Sequence, residues 1–278
     1  MRDGVGSPGA NIGRGIGERV PRKEDPMLVR GAGRYTDDLN VPGQVYAVMV
    51  RSRQAHGHIR SIVVSAASRM EGVLGVYVAA DLDAARFGAI GCKFSTPNAD
   101  GSAMRAPLRP GLPGDRVRFV GEAVAFVVAA TPFQAKDAAE LVEVEIDPLP
   151  AVVDAAAALT SEPIHPDFPG NVILDFHYGD SAAVDAAFAD AAHRITQKFV
   201  NNRIIVNPME PRSAIGEYSP ASDHWTLHTG TQGVFGVAQT LARDILGTDP
   251  KNVRVLTGNV GGSFFVIIVN NKNWGGNR

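Results

Sequence analysis

The sequence predicts a mixed α/β fold, and three features indicate it. Short runs rich in β-branched residues at 44–50, 59–64 and 74–78 are separated by turn clusters, a pattern typical of strands. Residues 117–146 then show the order strand–helix–strand, and residues 225–257 show the same order again. The 278-residue chain is 45% apolar, 20% charged and carries a net charge of −2, which excludes a disordered chain. Its length suggests two domains.

The charge balance and the cysteine count exclude several functional classes. A net charge of −2 lacks the basic surplus of a nucleic-acid-binding protein. No apolar run reaches the roughly 18 residues that cross a bilayer, and the first 24 residues hold no apolar segment of a secretory signal, so we expect a cytoplasmic protein. The single cysteine, Cys92, rules out an internal disulfide framework and an iron–sulfur cluster on this chain. We expect it to be a small buried residue or a loop residue.

In the first half, the strand–helix–strand unit follows a long loop. Residues 91–115 are rich in Gly, Pro, Asn and Ser and are expected to form that loop. Residues 117–129 predict one strand, interrupted at Gly121 by a bulge or a tight bend. A helix is predicted over 133–141 because Pro132 suits a first helical turn, and a strand is predicted over 142–146.

In the second half, a proline-rich connector precedes further regular structure. A helix is predicted over 181–192, with Asp180 or Ser181 as its N-cap. One strand, or two, is expected within 194–206, and another over 214–218.

The most informative pattern is a β–α–β unit near the end of the chain. Strands are predicted over 225–229 and 253–257, with an amphipathic helix over 234–246 between them. If the two strands are parallel, the loops 230–233 and 258–264 meet outside their carboxyl ends. That edge is where open α/β sheets bind ligands.

These two loops form the candidate binding site. Gln232 lies where the helix begins, and free N–H groups at a helix N-terminus attract anions. The glycines of 258–264 let the backbone approach a ligand closely. Two ordinary turns remain the alternative, because glycine loops are common.

Other motifs give weaker indications. The glycine-rich segment 13–17 does not follow a strand, which argues against a dinucleotide site. His56 and His58 have no third metal ligand nearby and are expected to be a surface pair. Glu210 and Arg212 form either a charged pair beside the ligand edge or a structural ion pair.

Several segments resemble one family, and they occur in one order. They are residues 31–38 with 51–52, 118–125, 135–139, 149–154, 209–212, 231–233 and 258–264. Together they resemble the large subunit of the molybdenum hydroxylases, the family of xanthine dehydrogenase, aldehyde oxidase and aerobic carbon monoxide dehydrogenase. The resemblance implies an α/β hammerhead domain followed by the truncated start of a molybdopterin-binding domain.

The resemblance also implies a cofactor and a chemistry. In this family a molybdenum–pterin cofactor carries out hydroxylation with hydride transfer to molybdenum. The resemblance is compatible with the cytidine dinucleotide form of that cofactor. The implied cofactor-binding residues are Gln232, Gly233, Gly261, Gly262 and Phe264. Iron–sulfur clusters and FAD lie on a small 2Fe–2S subunit and a medium FAD subunit, assembled with the large subunit as a dimer of heterotrimers. Neither nucleic acid nor a membrane span is expected.

The resemblance stops after Phe264, so the expectations for this chain differ from those for the full-length family. Residues 265–278 resemble nothing in the family, and the general-base glutamate belongs to a region beyond the match, so no catalytic residue and no bound cofactor are expected in this chain. We expect a frameshift or an incomplete gene end; a natural short paralogue is the alternative. The alternative function is that of an inactive hammerhead protein that at most binds partner subunits.

The expected divisions of the chain are a flexible arm (1–25), hammerhead domain (26–150), linker (151–175), partial cofactor domain (176–264) and aberrant tail (265–278).

Overall fold

The first domain consists of two antiparallel three-stranded sheets. The computed structural model describes residues 21–200 and 207–262. One sheet has the strand order β1-β5-β3 and the other the order β4-β2-β6. The strands are β1 (Tyr46–Arg51), β2 (Gly57–Val63), β3 (Val73–Tyr77), β4 (Arg116–Val117), β5 (Ala123–Ala129) and β6 (Glu143–Pro148). The helices are α1 (Asp25–Leu28), α2 (Ser65–Ser68), α3 (Ala79–Ala84) and α4 (Pro132–Glu140).

The prediction of one interrupted strand over 117–129 is wrong, because the two parts belong to different sheets. The chain turns between β4 and β5 at Gly121, whose φ of +88° is readily adopted only by glycine. The Glu122 carboxylate accepts a hydrogen bond of 2.6 Å from the Arg118 N–H and so closes this turn. Burial raises the pKa of Glu122, and the hydrogen bond from Arg118 only partly opposes that effect.

The core of this domain lies between β5 and α4. Val124, Ala125 and Val127 of β5 are fully buried, as are Ala135 and Ala138 of the helix. Ala125 and Val127 pack in one cluster with Ala138 of the helix, whereas Val124 lies on the other face of the strand; a fully buried valine contributes about 1.5–3 kcal/mol. The helix begins where its sequence predicts: the Thr131 hydroxyl accepts from the Gln134 N–H at 3.2 Å, and Pro132 occupies the first turn.

The segment between the two domains contains little regular structure apart from one α-helix. That helix, α5 (Ser181–Asp190), begins at Asp180, whose carboxylate accepts from the Ala183 N–H at 3.0 Å, as predicted. The strand predicted over 194–206 is wrong for 194–200, which are exposed and form no ladder with any described strand. Residues 201–206 lie outside the described part of the chain.

The second domain contains the predicted β–α–β unit. Its sheet has the order β7 (Ala214–Ser219), β8 (His224–Thr229), β9 (Val253–Leu256), with β7–β8 antiparallel and β8–β9 parallel. The crossover helix α6 (Val234–Thr240) continues as a π-helical segment, Leu241–Leu246, which ends at Gly247. None of the helices in the described residues is both long enough and apolar enough to cross a membrane.

Candidate functional site

The parallel pairing of β8 and β9 brings the two predicted loops to one edge of the sheet. Trp225 pairs with Val253 and His228 with Leu256, so both strands leave the sheet in the same direction. Beyond the strands, the Thr231 N–H donates to the Thr257 hydroxyl at 3.3 Å. The parallel pairing on which the expected geometry depends is therefore confirmed.

The first loop presents Gln232 immediately before helix α6. Gln232 is exposed, and Gly233 is the N-cap of the helix. The neighbouring Thr231 is buried, and its hydroxyl accepts from the Gly233 N–H at 3.2 Å, which holds the turn. A Cβ on Gly233 would meet no atom within 4 Å, so this position borders open space in which a ligand could approach the backbone.

The second loop packs too tightly for side chains at two of its glycines. A Cβ on Gly258 would lie 2.7 Å from the Arg34 carbonyl oxygen, and one on Gly261 would lie 2.5 Å from the Glu210 Cβ. Gly262 adopts a φ of +123°. Phe264, the remaining predicted member of the site, lies outside the described residues.

Glu210 has a different role from either one considered in the sequence analysis. Its carboxylate accepts the Gly261 N–H at 2.7 Å and the Thr36 N–H at 3.4 Å. Its own N–H donates to the Gly261 carbonyl at 3.3 Å. The carboxylate therefore binds backbone groups of two segments that are far apart in the sequence.

Sequence reasoning missed the segment that packs against the second loop. The Arg34 N–H donates to the Asn259 side-chain oxygen at 2.8 Å, and the Asn259 N–H donates to the Arg34 carbonyl at 2.9 Å. Both segments belong to motifs quoted for the resemblance, but no sequence pattern indicates that residues 225 positions apart pair with each other.

A cavity of about 210 Å³ lies between these segments. Its wall combines the 34–36 segment with the carboxyl ends of β8 and β9. The lining residues are Arg34, Tyr35, Thr36, Leu39, His228, Thr229, Leu256, Thr257 and Gly258. The cavity therefore borders the predicted edge, but Gln232, Gly233, Gly261 and Gly262 do not line it.

One of the weaker expectations needs correction. His56 is buried, not a surface residue, and its Nδ1 lies 2.9 Å from the Pro150 carbonyl oxygen, while His58 is exposed. His56 precedes β2, which begins at Gly57, and its ring is buried beside Pro150, whereas His58 lies within the strand and is exposed. Within residues 21–200 and 207–262, no group of three His, Cys, Asp or Glu side chains could hold a metal. Cys92 lies in the long loop and is exposed, as the loop alternative predicted.

The fold is that of a two-domain α/β protein, in which two loops follow the carboxyl ends of two neighbouring parallel strands. The family model of the aldehyde oxidase and xanthine dehydrogenase a/b hammerhead domain matches residues 30–150, and that of the molybdopterin cofactor-binding domain matches residues 164–264. The chain belongs to the molybdenum hydroxylase large-subunit family and matches the N-terminal part of its members.

The relatives show how much of such a subunit is present. Over 90% of its own length, the chain is 36% identical to the nicotine 6-hydroxylase large subunit of Paenarthrobacter nicotinovorans. Over the same share of its length, it is 30% identical to the carbon monoxide dehydrogenase large chain of Hydrogenophaga pseudoflava. Among solved structures, quinoline 2-oxidoreductase of Pseudomonas putida 86 is 32% identical, with a TM-score of 0.77 over 88% of this chain. The chain spans about 30% of the length of each.

Proposed function

We propose that the chain acts as the N-terminal part of the large subunit of a molybdenum-dependent hydroxylase. The observation that carries the proposal is that the 230–233 and 258–262 loops follow two parallel strands at one edge and both lie beside the Glu210 carboxylate, inside the segment that matches the molybdopterin cofactor-binding domain. A molybdenum–pterin group, when bound, supplies the redox chemistry.

The residues we assign to cofactor contact are those at this edge. Gln232 is exposed beside the open space at Gly233 and can offer its amide to an oxygen of the cofactor. Gly261 and Gly262 place the second loop at this edge: a Cβ on Gly261 would lie 2.5 Å from the Glu210 Cβ and one on Gly262 3.3 Å from the Pro208 Cβ, so the absence of side chains sets the path of the loop. Phe264 completes the proposed set. The cofactor would lie across both loops, with the rest of its surface turned away from them.

The described edge supplies no general base. Glu210 is the carboxylate held between the loops, and it already accepts backbone N–H groups from Gly261 and Thr36. A general base must reach the proton it removes within roughly 2.6–3.2 Å. We therefore expect no hydroxylase activity from this chain alone.

The test is purification followed by molybdenum analysis and dye-coupled oxidation of carbon monoxide, aldehydes and purines. Bound molybdenum that is lost in Gln232→Ala, but not in a Gln54→Ala control, supports the proposed site. Turnover by the chain alone would contradict the expected inactivity. A metal-free chain that still binds partner subunits would favour the alternative of a binding protein.

The proposed partners are a medium FAD subunit and a small 2Fe–2S subunit in a cytoplasmic dimer of heterotrimers. Several relatives are named as large or gamma subunits, which supports assembly with other chains. Co-expression with the two subunits, followed by size-exclusion chromatography with light scattering, tests this assembly. Elution of the chain separately from both subunits would contradict it.

The proposed domain boundaries can be tested by limited proteolysis. The connector contacts the long loop, since the Asp175 N–H donates to the Asn98 side chain at 2.9 Å and the Ala99 N–H donates to the Asp175 carbonyl at 2.7 Å. Early cleavage within 151–180, releasing about residues 26–150, supports the proposed linker. Early cleavage confined to the exposed 191–200 segment would move the boundary towards the second domain.

A further inference from the structure

We infer that Glu210, together with the Arg34–Asn259 pair, is a positioning device that sets the conformation of the 258–262 loop. The inference rests on the proposed function, in which that loop contacts the cofactor. The device consists of hydrogen bonds from three separate segments, here called the loop-positioning contacts: Glu210 with Gly261, Glu210 with Thr36, and Arg34 with Asn259.

The Glu210 carboxylate is central to these contacts. One oxygen accepts from the loop at Gly261 and the other from the first domain at Thr36. The same carboxylate lies beside the first loop, because a Cβ on Gly230 would be 3.4 Å from its Oε2. A single side chain thus contacts, or lies next to, both loops of the proposed site and the segment from the first domain.

The second contact is reciprocal. Arg34 and Asn259 exchange two hydrogen bonds, of 2.8 Å and 2.9 Å, and both use the Arg34 backbone. The contact therefore depends on the path of the 34–36 backbone rather than on the arginine side chain. The close approach of Gly258 to the Arg34 carbonyl oxygen permits this path.

Burial makes the Glu210 contacts difficult to replace. Thr36 is 5% exposed, and the Glu210–Gly261 bond is partly buried, so water cannot readily substitute for the carboxylate. Hydrogen bonds to an ionised acceptor are also stronger than neutral ones. Loss of the acceptor would leave a partly buried N–H unsatisfied, which the loop can avoid only by moving.

The chemical consequence concerns the orientation of the side chain. A carboxylate whose two oxygens each accept a backbone N–H group is held in one orientation. Glu210 therefore acts through the loop and not on a substrate.

The experiment compares the wild-type chain with Glu210→Gln and with the control Glu143→Gln, an exposed glutamate of β6 in the first domain. Glutamine keeps the size of the side chain but turns one acceptor into a donor. Amide hydrogen exchange is followed by mass spectrometry for peptides covering 33–38, 258–262 and β5. The Gly261 amide proton is followed by NMR as a direct signal of the hydrogen bond.

In Glu210→Gln we expect exchange about tenfold faster in 33–38 and 258–262, unchanged protection in β5, and an upfield shift of the Gly261 amide proton. Glu143→Gln should change none of these. Unchanged exchange and an unchanged Gly261 signal would overturn the inference, as would loss of protection throughout β7, β8 and β9, because the effect would then not be local.

A second variant keeps the inference testable if Glu210→Gln does not fold. Asn259→Ala removes the side-chain acceptor of the Arg34 N–H and leaves Glu210 intact, so faster exchange is expected in 33–38. Unchanged exchange there would count against the inference. Molybdenum content is measured separately: a metal-free wild type with the expected exchange pattern refutes the proposed function alone, whereas bound metal with unchanged exchange refutes the positioning role alone.

Discussion

The two domains are stabilised in different ways. In the first, β5 is buried between neighbouring strands and α4, and Val117, Val124 and Val127 have no exposed surface. In the second, every residue of β8 is only partly buried, and most of β7 is exposed. The first domain supplies its own core, whereas the second relies more on hydrogen bonds and on segments of the first domain that contact it.

Contacts between the domains show this dependence directly. The Gly88 N–H donates to the Ile245 carbonyl at 2.8 Å, and Lys93 forms an ion pair with Asp244. Together with the loop-positioning contacts, these bring the first domain against the C-terminal end of the π-helical segment and against the 258–262 loop. The first domain is therefore stabilised by its buried core, whereas the second depends more on its contacts with the first.

The largest effect is expected from a charge in the first core. Val127→Asp would bury an unpaired carboxylate, and the free energy of unfolding should fall by about 4 kcal/mol or more. Urea unfolding monitored by circular dichroism measures the change. Leu74→Asp on neighbouring β3, where the side chain is 61% exposed, is the control and should cost far less. Equal losses would contradict the account of a core centred on β5.

A smaller loss is expected from overpacking between the β2 and β6 strands. Gly57→Ala would place a Cβ 2.4 Å from the Ile146 side chain and 2.6 Å from the Asp147 carbonyl oxygen, so the backbone must shift. We expect a loss of about 1–3 kcal/mol in thermal or urea unfolding. In Gly216→Ala on β7 the new Cβ meets nothing within 4 Å, and no loss is expected. A comparable loss there would mean that the second sheet is packed as tightly as the first.

A gain in stability is expected from the second domain. Gly236→Ala lies in α6, where a Cβ meets no atom within 4 Å, and alanine favours the helical backbone by up to about 1 kcal/mol over glycine. Slower amide exchange in α6, with β5 unchanged, would confirm that this helix is not limited by packing. Faster exchange would show that the apparent space is filled.

The smallest effects concern two carboxyl groups of the first domain. A side-chain hydrogen bond from Arg60 lowers the pKa of Asp147, whereas burial raises the pKa of Glu122. Asp147 therefore stabilises the fold above its ordinary pKa, and this contribution is lost as the pH falls through its lower folded value. For Glu122 the folded state binds the proton more tightly, so its contribution to stability is fully present below the ordinary pKa and is lost as the pH rises through the raised folded value.

Carboxyl ¹³C NMR titration measures both shifts. Arg60→Gln should return the midpoint of Asp147 towards its ordinary value and leave that of Glu122 unchanged. A midpoint of Glu122 below its ordinary value would contradict the role of burial. Because the Arg60–Asp147 pair is exposed, its effect on stability should be small and should shrink further with added salt.

The sequence predicted the local elements well where each one carries its own pattern. The α6 helix has apolar residues at helical spacing, and the parallel β8–β9 pairing follows from the short crossover. Of the two predicted forms of the break at Gly121, the tight bend is confirmed; the change of sheet was not predicted, because a bend within one strand and a change of sheet begin with the same glycine. The role of Glu210 was not predictable, since its partners at Thr36 and Gly261 are brought close only by the tertiary fold.

The pairing of Arg34 with Asn259 has a consequence for the timing of folding. The two residues are separated by 225 positions, so their contact closes one of the longest loops the chain can form. At a synthesis rate of about 5–20 residues per second, Asn259 is made roughly 11–45 s after Arg34. Throughout that interval the first domain can fold, but the 34–36 segment has no partner at the glycine loop. Contacts of such high sequence separation form late. A pulse-labelling experiment during refolding should therefore show protection in β5 before protection at Arg34.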